Sequence, residues 1–137
     1  MITGYTTGVF DLFHVGHVNL LRNAKSLCDK LVVGVTADEL VLYKGKTCVI
    51  PFVDRIEVVR SCRYVDVVVP QYSIDKLEAA KKMNVDRLFV GDDWYGDNRW
   101  NEMELKLSEI ACEVYYFPYT VSVSSTLINK TLIDIRK

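Results

Sequence analysis

Apolar and polar positions along the chain alternate between two rhythms. Short, β-branched apolar runs at residues 2–9, 31–36, 65–69, 87–91 and 113–117 predict strands. The segments between and after them, 16–29, 51–62, 74–83, 100–110 and 124–136, predict helices. In the first helix Leu20, Leu21, Ala24, Leu27 and Cys28 recur at helical intervals. Pro51 suits the first turn of its helix, and Ser124 is placed to cap the last one. No linker, internal repeat or low-complexity tract interrupts the alternation. Strands that alternate with short helices imply right-handed crossovers and a parallel sheet. The expectation is an α/β fold: a Rossmann-like, open, parallel five-stranded sheet with helices on both faces. Residues 1–137 would form a single domain.

That fold class predicts where chemistry sits, because open α/β sheets bind ligands beyond the carboxyl ends of their strands. The only two histidines, His14 and His17, fall there, in the run Gly8-Val9-Phe10-Asp11-Leu12-Phe13-His14-Val15-Gly16-His17. They lie where the first strand ends and the first helix begins. A helix start offers unpaired N–H groups and a partial positive charge, a ready anion site. Gly16 carries no side chain, so a phosphate can approach its backbone. Two ring N–H donors beside that site can stabilise charge developing on phosphorus. Asp11, three residues before His14, can orient an imidazole. An isolated histidine near a turn is usually packed or solvated; the strand before and the helix after favour the functional reading.

Other polar clusters converge on the same edge. Lys44-Gly45-Lys46 follows the second strand, and its ammonium groups can neutralise a triphosphate or a leaving pyrophosphate. Such a loop alone is ordinarily solvated charge, and its place near the histidines reverses that preference. Gly91-Asp92-Asp93-Trp94 follows the fourth strand. Its carboxylates can accept from ribose hydroxyls or a base amino group and help hold Mg²⁺, or can simply form an acidic turn. Trp94 and Trp100 can stack on a ligand or pin the loop to the core. Ser124-Ser125-Thr126 supplies hydroxyls and N–H groups at a helix start, suited to phosphate and to plain capping alike. Arg55 and Arg63, on and just past the 51–62 helix, read from pattern alone as surface arginines.

Composition narrows the partners. Lys and Arg total 17 against 18 Asp and Glu, a formal charge of −1, so no broad nucleic-acid face is expected. Runs such as Val67-Val68-Val69 are far too short to span a bilayer, and no basic stretch precedes an apolar one at the N-terminus. Neither a membrane span nor a signal peptide is expected, which points to a cytoplasmic protein. Cys28, Cys48, Cys62 and Cys112 have no zinc-ligand spacing and suggest no disulfide framework. No serine or cysteine adjoins either histidine in sequence, which argues against nucleophilic catalysis. His14, His17 and Asp11 can mimic a zinc ligand set, but a glycine-bearing turn is a poor scaffold for one, and no protein-held metal is expected.

The run from Gly8 to His17 resembles the signature of the cytidylyltransferase branch of the HxGH nucleotidyltransferases. The resemblance continues through Lys44 and Lys46, Arg55, Cys62-Arg63-Tyr64-Val65-Asp66, Gly91-Asp92-Asp93-Trp94 and Ser124-Ser125-Thr126, in the family's order and over nearly the whole chain. Within that branch the likeness is greatest to the bacterial glycerol-3-phosphate cytidylyltransferases, and the choline- and ethanolamine-phosphate enzymes share much of it. It implies transfer of CMP from CTP to a phosphorylated alcohol, with release of pyrophosphate. His14 and His17 would hold the α-phosphate, and Lys44 and Lys46 would neutralise CTP and acceptor phosphates. Gly8, Val9, Phe10, Asp11, Gly16, Arg55, Gly91, Asp92, Asp93, Trp94, Tyr119, Ser124, Ser125 and Thr126 would lie along the nucleotide. Lys44, Arg63 and Asp66 would serve the acceptor. Mg²⁺ would accompany the triphosphate. A homodimer is implied, with the Arg63 to Asp66 run near its interface. One departure stands out. Where the family reads Arg-Thr-Glu-Gly-Ile-Ser-Thr-Thr, this chain has Tyr119-Thr120-Val121-Ser122-Val123-Ser124-Ser125-Thr126. Tyr119 offers one neutral donor in place of a charged fork, which implies a weaker grip on the triphosphate.

Two rival functions follow from the same residues. One is an adenylyltransferase of the same superfamily; the Arg63-Tyr64-Val65-Asp66 and Gly-Asp-Asp-Trp runs favour cytosine instead. The other is a nucleotide-binding module with weakened catalysis, suggested by Tyr119 and opposed by the intact His14, His17, Lys44 and Lys46.

Overall fold

The computed structural model describes residues 1–43, 45–91 and 97–118. Among these residues ten elements follow one another: β1 (Thr3–Gly8), α1 (Val15–Ser26), β2 (Lys30–Thr36), α2 (Asp38–Tyr43), α3 (Phe52–Arg60), β3 (Val67–Gln71), α4 (Lys76–Met83), β4 (Arg87–Gly91), α5 (Asn98–Glu109) and β5 (Glu113–Phe117). The strands form one sheet in the order β3-β2-β1-β4-β5, and every pairing is parallel. This is the expected α/β, Rossmann-like architecture.

A continuous apolar run is what a parallel strand covered on both faces requires. In β2 the run Leu31-Val32-Val33-Gly34-Val35 is buried throughout. One face of the sheet packs on α1 and α3: Leu21, Ala24 and Val59 meet Leu31, Val33, Val35 and Phe89. On the other face Ala80, Trp100 and Leu107 from α4 and α5 meet Tyr5, Val32, Leu88 and Val90. Both faces therefore carry helices. The chain walks outward from β1 to β3 and then crosses back to β4 on the far side of β1. The strand order reverses between β1 and β4, and the loops after these two strands border the crevice where such folds bind ligands.

Some expectations need correction. The third strand runs to Gln71 instead of ending before Pro70. Proline removes a ladder donor, but β3 is an edge strand, where that loss is tolerated. The six-residue α2 was expected as loop; it is too short for a periodic signal and is held by the Val41 N–H to Ala37 O bond at 3.1 Å and the burial of Leu40 and Val41. Pro51 sits one residue before α3, as its cap, with no side-chain capping bond of its own. The Asp38 carboxylate supplies the missing acceptor, taking the Phe52 N–H at 3.1 Å. The 124–136 helix lies outside the described residues.

Candidate active site at the strand-order reversal

The turn between β1 and α1 is held in an uncommon backbone shape. Phe10 and Leu12 adopt left-handed φ values of 55° and 50°. For residues with a Cβ this costs about 1–2 kcal/mol each and persists only where the surroundings enforce it. At Phe10 the enforcement is visible. Its ring is buried and folds back over Gly8, where an added Cβ would lie 2.9 Å from Cε2. Phe10 and Phe13 each place a ring centroid 5.3 Å from that of His17, and the His14 and His17 rings stack at 4.0 Å.

The two imidazoles close a reciprocal cap on α1. The Gly16 N–H donates to His14 Nδ1 at 3.0 Å, and the His14 N–H donates to His17 Nδ1 at 3.1 Å. A ring nitrogen that accepts cannot carry a proton, so both Nδ1 atoms are bare and the neutral rings carry hydrogen on Nε2. Burial and the neighbouring His14 push His17 down to about 4, with Asp11 opposing; burial lowers His14 as well. Two neutral, stacked imidazoles, each with its proton on Nε2, therefore stand at the turn that borders the crevice. The Gly16 amide, expected to face a phosphate, is engaged by His14 instead.

The second cluster is tied to the first through backbone. Gly45, at φ 76°, makes the turn that starts the loop, and the Lys46 N–H donates to Val41 O at 3.1 Å while its side chain is exposed. A few residues on, the N–H groups of Val49 and Ile50 each donate to the Asp11 carboxylate at 2.9 Å. Asp11, expected to orient an imidazole or touch nucleotide, thus joins the histidine loop to the lysine loop. Gly91 ends β4 beside β1, whose neighbour across the reversal it is. Lys44, Asp92, Asp93, Trp94, Tyr119, Ser124, Ser125 and Thr126 lie outside the described residues.

Three expected site residues are placed elsewhere or otherwise than expected. Arg55 is no surface arginine: its side chain has 0% exposure, and its guanidinium donates to the Val9, Thr36 and Ile50 carbonyls and to Asp38. Asp66 accepts from the Leu31 N–H at 2.7 Å and from Lys25 Nζ at 2.6 Å, at the amino-terminal end of β2. That is about 20 Å, the length of a seven-residue strand, from the edge that carries the histidines. Arg63 follows α3 on the way down to the same far end and donates to the Tyr64 hydroxyl at 2.8 Å. The reason is topological. α3 begins at the site edge and runs back along the sheet, carrying whatever follows it to the opposite end. Within one chain Arg63 and Asp66 do not join the histidines.

Asp38 and Phe13 are the residues that sequence reasoning missed. An acid directly after the second strand was a usable signal for Asp38, since it stands at the same sheet edge as the clusters that were recognised. Among the described residues no group of three or more His, Cys, Asp or Glu side chains is arranged to hold a metal ion, and no helix is long and apolar enough to cross a membrane.

The chain belongs to the cytidylyltransferase-like family, whose model matches residues 5–131. It is 36% identical over 128 residues to the glycerol-3-phosphate cytidylyltransferase of Bacillus subtilis (strain 168), covering 93% of this chain and 94% of that one. It is 41% identical over 114 residues to the FAD synthase of Pyrococcus abyssi (strain GE5 / Orsay), covering 82% and 77% respectively. Among solved structures, the lipopolysaccharide core biosynthesis protein from Thermoplasma volcanium GSS1 superposes with a TM-score of 0.73 at 27% identity, over 88% of this chain and 97% of that one.

Proposed function

We propose that this enzyme transfers CMP from CTP to a phosphorylated alcohol, glycerol 3-phosphate foremost, with release of pyrophosphate. The observation that carries the reading is the reciprocal histidine cap, which leaves two neutral Nε2–H donors at the crevice. An acceptor phosphate oxygen attacks the α-phosphorus of CTP, the new P–O bond forms, and the bond to the β-phosphate oxygen breaks. The acceptor is already a competent nucleophile, so no covalent enzyme intermediate is required. Catalysis is then positioning and charge stabilisation. The imidazole donors meet the oxygens of the pentacovalent phosphorus, while Lys46, with Lys44, balances the charge of the phosphates. Neutral rings suit this task because they donate hydrogen bonds without taking part in proton transfer. Mg²⁺ enters as the companion of the triphosphate, coordinated by phosphate oxygens and water. Asp92 and Asp93, the acids proposed to assist it, lie outside the described residues, and no step is assigned to them.

Coverage of more than nine-tenths of the chain by glycerol-3-phosphate cytidylyltransferases supports the choice of acceptor. A second reading, adenylyl transfer from ATP, is favoured by the identity to archaeal FAD synthases. Pyrophosphate release separates the two. With CTP and a panel of phosphorylated alcohols, turnover should be greatest with glycerol 3-phosphate. Faster release from ATP than from CTP with every acceptor would reject the first reading. We further propose that the protein is a cytoplasmic homodimer with the Arg63 to Asp66 run at its interface, which sedimentation equilibrium tests directly.

A further inference from the structure

Arg55 is buried, and its guanidinium is taken up by the fold directly beneath the histidine loop. Arginine has five N–H bonds, and four of them are directed. Nε donates to Ile50 O at 2.9 Å, Nη1 donates to both Val9 O and Thr36 O at 2.7 Å, and Nη2 donates to Asp38 Oδ1 at 2.6 Å. Val9 leads into the histidine loop, Thr36 ends β2, and Ile50 ends the loop that carries Lys46. One guanidinium therefore joins three segments by their carbonyls. The N–H side of the same joint belongs to Asp11, whose two carboxylate oxygens take the amides of Val49 and Ile50. Ile50 is gripped from both directions: its carbonyl by the arginine of α3, its amide by an acid of the histidine loop.

We propose that Arg55 and Asp11 are positioning residues that set the separation between the His14–His17 pair and Lys46, so that both address the same triphosphate. This rests on the reading of Lys46 as a phosphate group's partner. A lysine side chain is long and flexible, so what the fold can control is where its loop begins. Without the clamp the Lys46 loop keeps only its bond to the Val41 carbonyl among the links described above, and the ammonium ranges over a wider volume. A fold-stabilising role alone would make no connection between these residues and the contribution of Lys46; a positioning role requires one.

The test is a double-mutant cycle on CTP affinity, measured by calorimetry on the full chain. Lys46→Ala in the wild-type background should weaken CTP about tenfold, the scale for losing one charge-assisted contact. In the Asp11→Asn background, where one acceptor oxygen becomes a donor and the two-amide grip is broken, the same substitution should weaken CTP by less than about threefold. Asp86→Asn, which replaces the charged acceptor of the Thr3 N–H by a neutral one at the opposite end of the sheet, should leave the full Lys46 effect in place. Arg55→Lys should reproduce part of the coupling lost in Arg55→Met, and the Asp11 cycle stands on its own if either arginine variant fails to fold. A Lys46 effect of equal size in the wild-type and Asp11→Asn backgrounds overturns the positioning role while leaving Lys46 on the phosphates. No effect of Lys46→Ala in any background overturns the phosphate reading and the positioning role with it.

Discussion

The two ends of the sheet use the same bond for opposite purposes. At the amino-terminal end three aspartates accept backbone N–H groups: Asp29 from Ile2 at 2.6 Å, Asp86 from Thr3 at 2.8 Å and Asp66 from Leu31 at 2.7 Å. Each closes a strand start against a neighbouring turn, and the two left-handed residues at that end, Asn84 and Ala111, simply follow helices α4 and α5. At the carboxyl end Asp11 and Asp38 also accept backbone N–H groups, but from loops that belong to other elements. There the backbone includes two left-handed non-glycine residues, Phe10 and Leu12, and a fully buried guanidinium. The lower end spends its carboxylates on holding strands in register. At the upper end they hold loops in relation to one another, and the left-handed residues there lie inside the histidine turn itself instead of at a helix end. Under the proposed function, the upper edge is the one that carries the chemistry.

The sharpest way to break this contrast is at the histidines. His14→Ala and His17→Ala should each lower kcat at least ~100-fold, the scale for losing one preorganised transition-state donor, with CTP binding reduced far less. Turnover within a few-fold of wild type in both variants would remove the chemistry from the upper edge.

Acid should reveal the same asymmetry in stability. His17 in the folded protein stays neutral down to about pH 4, whereas in the unfolded chain it takes up a proton near 6.5. As the pH falls through that window the unfolded state binds the extra proton, so stability should decline from pH 6.5 towards 4 and level off below. His14, lowered in the same direction, adds to the decline. Urea midpoints across this range check it. His17→Asn, which keeps an acceptor for the His14 N–H and does not titrate, should flatten the profile; an unchanged slope would assign the acid sensitivity to other groups.

The smallest expected effect belongs to the lower edge. Asp66→Asn weakens a bond to Leu31 N–H and an exposed pair with Lys25, and should cost about 1 kcal/mol of unfolding free energy. Turnover per folded molecule should stay within about twofold of wild type, since removing one exposed pair alters nothing at the other end of a strand. A large loss of kcat at unchanged stability would mean that Asp66 reaches a site after all, through a second copy of the chain.

Much of this was legible before any coordinates. The strand runs at 31–36, 87–91 and 113–117 follow from short stretches rich in β-branched and aromatic residues, and the structure places strands there. The histidine turn was legible because a short motif at a strand-to-helix junction is local. Arg55 was not. Its position on a helix is visible in the periodicity, but whether a charged side chain faces solvent or core depends on which carbonyls the fold brings beneath it. Asp66 and Arg63 were drawn into the site by motif order, which carries no information about the direction in which the preceding helix runs across the sheet.

What the sequence determined by itself is therefore what depends on near neighbours: the strand and helix rhythms and the imidazole pair three residues apart. The tertiary structure alone decided which of these meet. It put the histidine loop and the lysine loop side by side through Asp11 and Arg55, partners separated by 38, 39 and 46 residues in the chain. It also carried Asp66 to the far edge. The physical reason is that a buried polar group is defined by satisfaction, not by its place in the chain. A guanidinium or a carboxylate becomes part of a site only where the folded backbone turns unpaired carbonyls or N–H groups towards it.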